Sequence, residues 1–181
     1  MYTQFMFYLS KQETRALFEV AHRRNPKYHL AMLVALMHGM RVSEVTALRG
    51  TDITADGQIV IHRLKGSRTT IQPIRRDSDP LFDESPLVAL ARERKGLRLF
   101  EVTPRHLNRL MRQYGIEAGV HESKLHMHAW KHTTAMTIWD ATGSLGQLQS
   151  YLGHVSSSSS LVYLAEADAR KAQTALASVQ F

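Results

Sequence analysis

Cysteine is absent from this chain, so no disulfide framework, thiolate nucleophile or cysteine-held metal site is open to it. Long hydrophobic runs are missing too. The most apolar internal stretch, residues 29–40, is interrupted and too short to span a bilayer. The N-terminal MYTQFMFYL lacks the basic flank and cleavage site of a signal peptide. No Gly-rich loop of the Walker type occurs, which argues against ATP use. Aromatic residues are not interleaved with basic ones as single-strand binding would require. These absences fit a cytoplasmic protein without a membrane partner. Acidic residues run short as well: 16 Asp plus Glu face 23 Lys plus Arg, giving a net charge of +7 and a pI of ≈ 9.9. That balance favours an anionic partner, nucleic acid first and membrane surface second.

With 181 residues, 44% of them hydrophobic, the chain is long enough for one domain with a sizeable core. Ser10 and Glu13 form a capping box that opens a helix through about Arg24. Asn25-Pro26 starts a second helix, and residues 28–40 are apolar nearly all round, as expected of a central buried helix. Ser43 is placed to cap a short third helix carrying Val45 and Leu48. The period then changes. Asp56-Gly57 and residues 65–68 are turn signals flanking β-branched runs at 58–64 and 69–74; with a short strand near 52–54 they predict a small antiparallel meander. Ser85-Pro86 and Thr103-Pro104 start helices expected to stop at Gly96 and Gly115. Further helices are expected over about 129–141, 145–152, 158–165 and 168–179. The fold class is mainly α with a small antiparallel β-sheet (α+β).

Six residues carry candidate chemistry. Arg41, at the junction of two helices, presents a planar fork that matches two phosphate oxygens, and Glu44 could hold it from behind; the plain alternative is a surface arginine. Lys65 stands at the hairpin tip, either as a charge-neutralising proton donor or as a solvated turn lysine. His128 and Lys131 are one helical turn apart. His154 follows Gly153, a good helix C-cap, and is otherwise a structural histidine. Tyr163 is a candidate nucleophile if surrounding cations lower its phenol, or else a half-buried tyrosine; Tyr151 is the competing phenol. His121, His126, His128 and His132 raise a zinc alternative, but Ala129 occupies the place of the metalloprotease glutamate, so no metal is assigned and His132 is read as a packed, supporting residue. Arg105, Arg109 and Arg112 recur along one helix face as a basic stripe able to follow a DNA backbone, and Arg63 and Arg68, flanking Lys65, are expected to contact DNA with them.

In this order the boxes resemble the catalytic domain of the tyrosine recombinases, the phage integrase family. HGMRVSEVTALRGTDI is similar to the family's first arginine box, with Glu44 as its supporting acid, and IHRLKGSRTTIQPI to the hairpin whose lysine, here Lys65, protonates the departing 5′ oxygen. MHAWKHTTA follows His-x-x-Arg-His with one departure, since Lys131 stands where the second arginine belongs. LQSYLGH resembles the box whose histidine donates to the scissile phosphate, and the spacing from His154 to Tyr163 fits the family's nucleophile. The resemblance implies strand cleavage through a 3′-phosphotyrosyl link without cofactor or metal. Its implied partner is double-stranded DNA, bound by a tetramer that exchanges a C-terminal segment (here Asp168 to Phe181), with accessory DNA-bending proteins. In length, and in HGMRVSE and RLKGSRT, the chain looks like the short single-domain recombinases that invert fimbrial switches, with no separate core-binding domain; a fragment of a longer integrase is the other reading. The alternatives of function are a non-catalytic DNA-binding regulator on the same fold and a type IB topoisomerase-like relaxing activity.

Overall fold

The structure, a computed structural model, describes residues 8–156 together with 160 and 165. Its first helix, α1 (Lys11–Arg24), opens on the expected capping box, with Ser10 accepting from the Glu13 N–H and Glu13 from the Ser10 N–H. Asn25 ends α1 and caps α2 (Pro26–Met37) by accepting from the N–H groups of Lys27 and Tyr28. Every residue from His29 to Leu36 is buried, so α2 is the axis around which the other helices pack. Against it lie α1 and α6 (Met127–Thr142), with Phe18 and Trp130 meeting edge to face. Leu17, Met32, Leu33, Leu107 and Met111 fill the same core. Full burial of such side chains contributes about 1.5–3 kcal/mol each.

Helix α3 (Val42–Ala47) corrects the sequence reading at its start. Its N-cap is Arg41, not Ser43, and Glu44 accepts the Arg41 N–H at 2.9 Å. A carboxylate three residues on can close a helix start even when the N-cap side chain is no cap. The sheet is smaller than the expected meander: β1 (Gln58–Ile61) pairs antiparallel with β2 (Thr70–Pro73), and the third segment contributes only a bridge between Ile53 and Ile59. Helix α4 (Pro86–Arg94) ends at Lys95, whose φ of 42° turns the chain into Gly96.

Helix α5 (Pro104–Glu117) runs through Gly115, where a stop was expected. That glycine stays helical because its bare Cα gives room to the Leu125 side chain; the turn comes at Gly119, with a φ of 75°. Helix α6 begins two residues earlier than expected and ends on left-handed Gly143; α7 (Leu145–Leu152) ends on left-handed Gly153. The helices expected over 158–165 and 168–179 lie outside the described residues, apart from residues 160 and 165. Seven α-helices and one two-stranded sheet among the described residues agree with the α+β class. No helix among them is long and apolar enough to cross a membrane.

Candidate functional site

Arg41 is delivered by the exit from α2. Gly39, with a φ of 57°, turns the chain back, and extended backbone at Arg41 starts α3. The guanidinium donates to Glu44 Oε1 at 2.7 Å and to the Leu64 carbonyl at 3.2 Å. Glu44 has a fully buried side chain and also accepts the Leu64 N–H at 3.0 Å. Burial works to raise its carboxyl, but the hydrogen bonds from Leu64 and Arg41 outweigh that, and the net shift is downward. One buried carboxylate thus ties Arg41 to the hairpin whose tip carries Lys65, itself in the left-handed region with a φ of 57°.

Helix α6 supplies His128 and Lys131 from one face, and left-handed Gly153 turns His154 toward them. Arg41, Lys65, His128, Lys131 and His154 line a single cleft of ≈ 330 Å³, with His132, Ser67 and Ser156 at its wall. The electrostatics follow from burial first and from the crowd of cations second. Lys131 is pushed down to about 8, by burial first and then by Arg41. Burial, then Lys131 and Arg41, lowers His154 to about 4; burial and the neighbouring His128 lower His132 to about 4. His128 is lowered too, by burial and then His126. Lys131 is only 3% exposed, and its Nζ has no hydrogen-bond partner among the described residues. His154 Nδ1 lies 2.7 Å from Ser160 Oγ. Tyr163 lies outside the described residues. The competing phenol, Tyr151, donates to the Met37 carbonyl at 2.8 Å and is held up at about 12 by burial and then Glu84.

The remaining sequence-picked residues separate into surface and interior. Arg105, Arg109 and Arg112 line a second hollow of ≈ 580 Å³ that shares His128 with the cleft, so the basic stripe borders the site. Two are engaged within the chain: Arg112 with Glu122 at 2.5 Å and Arg109 with His106 at 2.9 Å. Arg68 is exposed and lines a third hollow that shares His154 and Val155 with the cleft. Arg63 corrects the reading: expected on a DNA-facing surface, it has a fully buried side chain and donates to the carbonyls of His38, Gly39 and Tyr151. Periodicity carried the signal, because position 63 continues the inward-facing register of Ile59 and Ile61. Of the histidine cluster, His128 and His132 meet edge to face at 4.6 Å, and no group of three or more His, Cys, Asp or Glu among the described residues is arranged to hold a metal ion.

These depressed imidazoles predict acid lability. A histidine held near 4 in the folded chain but near 6.5 when unfolded takes up protons on unfolding, so its stabilising share is present above about 6.5 and lost as pH falls toward 4. His29, also at about 4 through burial and then His22, should account for roughly 2 kcal/mol between pH 7 and pH 5. Urea unfolding at the two pH values measures it, and the midpoint should drop at pH 5.

The architecture is shared with tyrosine recombinase catalytic domains. The XerH site-specific recombinase, in a crystal structure with its difH substrate before cleavage, superposes with a TM-score of 0.70 over 90% of this chain and 52% of its own, at 22% identity. The catalytic domain of bacteriophage HP1 integrase superposes with a TM-score of 0.64 over 87% of this chain and 86% of its own, at 24% identity. At such identities the likeness is one of fold. In sequence, the type 1 fimbriae regulatory protein FimE of Escherichia coli K12 is 28% identical over 167 residues, 81% of this chain and 79% of that protein. The sequence model of the phage integrase family matches residues 8–170, and the chain belongs to that family.

Proposed function

We propose that this chain is a site-specific DNA recombinase whose cleft holds a scissile phosphate of double-stranded DNA. The observation that carries the reading is the convergence of Arg41, Lys65, His128, Lys131 and His154, drawn from four separate stretches of chain, on one cleft bordered by the arginines of α5. Arg41 offers two parallel N–H donors to the phosphate, and His128 and His154 stand in reach of its other oxygens. Tyr163 gives up its phenol proton to solvent and attacks phosphorus as the phenolate, the P–O5′ bond breaks, and Lys65 gives its own proton to the departing 5′ oxygen. The product is a 3′-phosphotyrosyl bond and a 5′ hydroxyl; attack by the 5′ hydroxyl of a partner strand reverses the chemistry and frees Tyr163. Assembly as a tetramer on two sites, exchange of residues 168–181 between neighbours and help from accessory DNA-bending proteins complete the reading.

Incubation with a nicked duplex, which loses its 5′ end on cleavage, tests it. A covalent protein–DNA adduct should accumulate and map to Tyr163 by peptide mass. An adduct on another residue removes Tyr163 from the role. A second reading, a DNA-binding regulator that does not cut, is favoured by the burial of the Lys131 ammonium beneath the cleft. Its signature is salt-sensitive DNA binding with no adduct, even from Lys131→Arg.

A further inference from the structure

The hairpin does more than present Lys65. Arg63 makes four hydrogen bonds from a fully buried guanidinium: Nη1 to the Gly39 carbonyl at 3.0 Å, Nη2 to the carbonyls of His38 at 2.8 Å and Tyr151 at 3.1 Å, and Nε to Thr70 Oγ1 at 3.2 Å. Glu44 lies 3.6 Å away as its counter-charge. Gln72, on the facing strand, donates to the same Tyr151 carbonyl at 2.7 Å and accepts from His38 Nδ1 at 2.6 Å. The Arg68 N–H reaches the Gly153 carbonyl at 2.8 Å. A Cβ on Gly153 would collide with the Arg68 carbonyl, so the two backbones are in close approach.

These bonds run between the three pieces of chain that lead into the cleft. His38 and Gly39 are the last turn before Arg41. Tyr151 and Gly153 are the last turn before His154. Residue 63 itself is two positions from Lys65. A buried cation kept only for stability could be replaced by apolar packing without loss. One that donates to carbonyls on two other segments fixes their separation instead, because a planar fork has set directions.

We propose that Arg63, with Gln72 beside it, is a positioning residue that sets the spacing of Arg41, Lys65 and His154 across the cleft. The inference rests on the recombinase reading for its catalytic consequence. Arg63→Lys keeps the charge beside Glu44 but replaces the planar fork, whose three nitrogens point at separate segments, with one point donor on a flexible stem. DNA affinity should stay within about threefold of the parent, because the side chain is buried away from DNA, while single-turnover adduct formation slows about tenfold or more through misplacement of the reacting groups. The His154 imidazole, followed by NMR, should titrate above its parent position of about 4. Since the charge at position 63 is unchanged, that displacement reports movement of the end of α7. A fold-supporting role alone would lower Tm and leave both the adduct rate and the His154 titration untouched, which overturns the proposal. Should R63K fail to fold, Gln72→Met carries the test: it removes the second donor to Tyr151, and a folded Q72M with parental adduct rate and His154 titration overturns the proposal equally. If neither the parent nor K131R forms adduct, the recombinase reading fails, and the His154 titration alone then decides whether Arg63 positions the cleft.

Discussion

Arg41→Ala should slow covalent adduct formation on a nicked duplex by about a thousandfold, with little change in DNA affinity. One preorganised donor to a developing oxyanion is worth about a hundred- to a thousandfold in rate. Arg41 supplies two parallel donors and a charge that cannot be titrated away, so the upper end applies. Affinity should hold because Arg68 and the α5 arginines remain to neutralise backbone phosphates. The fold should hold as well. Glu44 keeps the N–H groups of Leu64 and residue 41, and Arg63 stays 3.6 Å away, so its buried carboxylate is not orphaned. Arg41→Lys should recover only part of the rate, since an ammonium restores the charge but not the bidentate fork. A time course of adduct formation beside a filter-binding isotherm separates the two quantities. Adduct formation by R41A within tenfold of the parent would remove Arg41 from the reaction.

Most of the fold was legible because local chemistry and tertiary demand agree along this chain. The capping box at Ser10, Asn25-Pro26, Thr103-Pro104 and the left-handed glycine at 153 are punctuation that acts within a few residues, and the helices obey it. Where a distant partner overrides a local signal, the reading slips. Gly115 looks like a stop, yet it is a gap cut for Leu125, and nothing within its own helix says so. Ser43 looks like a cap, yet Glu44 takes the Arg41 N–H because the same carboxylate must also hold the hairpin. Arg63 is the sharpest case. Its charge suggested a DNA-facing surface, whereas the inward register continued from β1 and three carbonyls from other segments hold it inside. The five cleft residues were legible through ordered resemblance, not through periodicity, because their meeting depends on the whole packing. His38 and Gln72, which join the α2 exit to the hairpin and α7, left no such trace; an unexceptional histidine and glutamine gain meaning only when their partners are in place.

Lys131→Arg should move the rate in the opposite direction, raising adduct formation roughly ten- to a hundredfold at pH 8. The donor arithmetic is that of an oxyanion contact regained. In the parent the ammonium is buried, has no hydrogen-bond partner among the described residues and is pushed down to about 8, by burial first and by Arg41 second. At pH 8 about half of the free protein would then carry a neutral amine at this position. A guanidinium stays charged throughout and presents a planar fork with several donors. The pH profile tells charge from reach. In the parent, kcat/KM, which reports the free enzyme, should fall as pH rises through about 8, because the productive form is the ammonium. The limb in kcat should lie higher, since a bound phosphate favours the charged form. Arginine at this position should abolish both limbs. Stability carries the opposite sign: the unfolded chain holds the lysine proton up to about 10.5, so the folded chain bears the full cost of burying the charge below about 8 and gains stability as pH rises from there toward 10.5. A parent profile flat from pH 7 to 9, with K131R no faster, would mean that residue 131 never meets the phosphate.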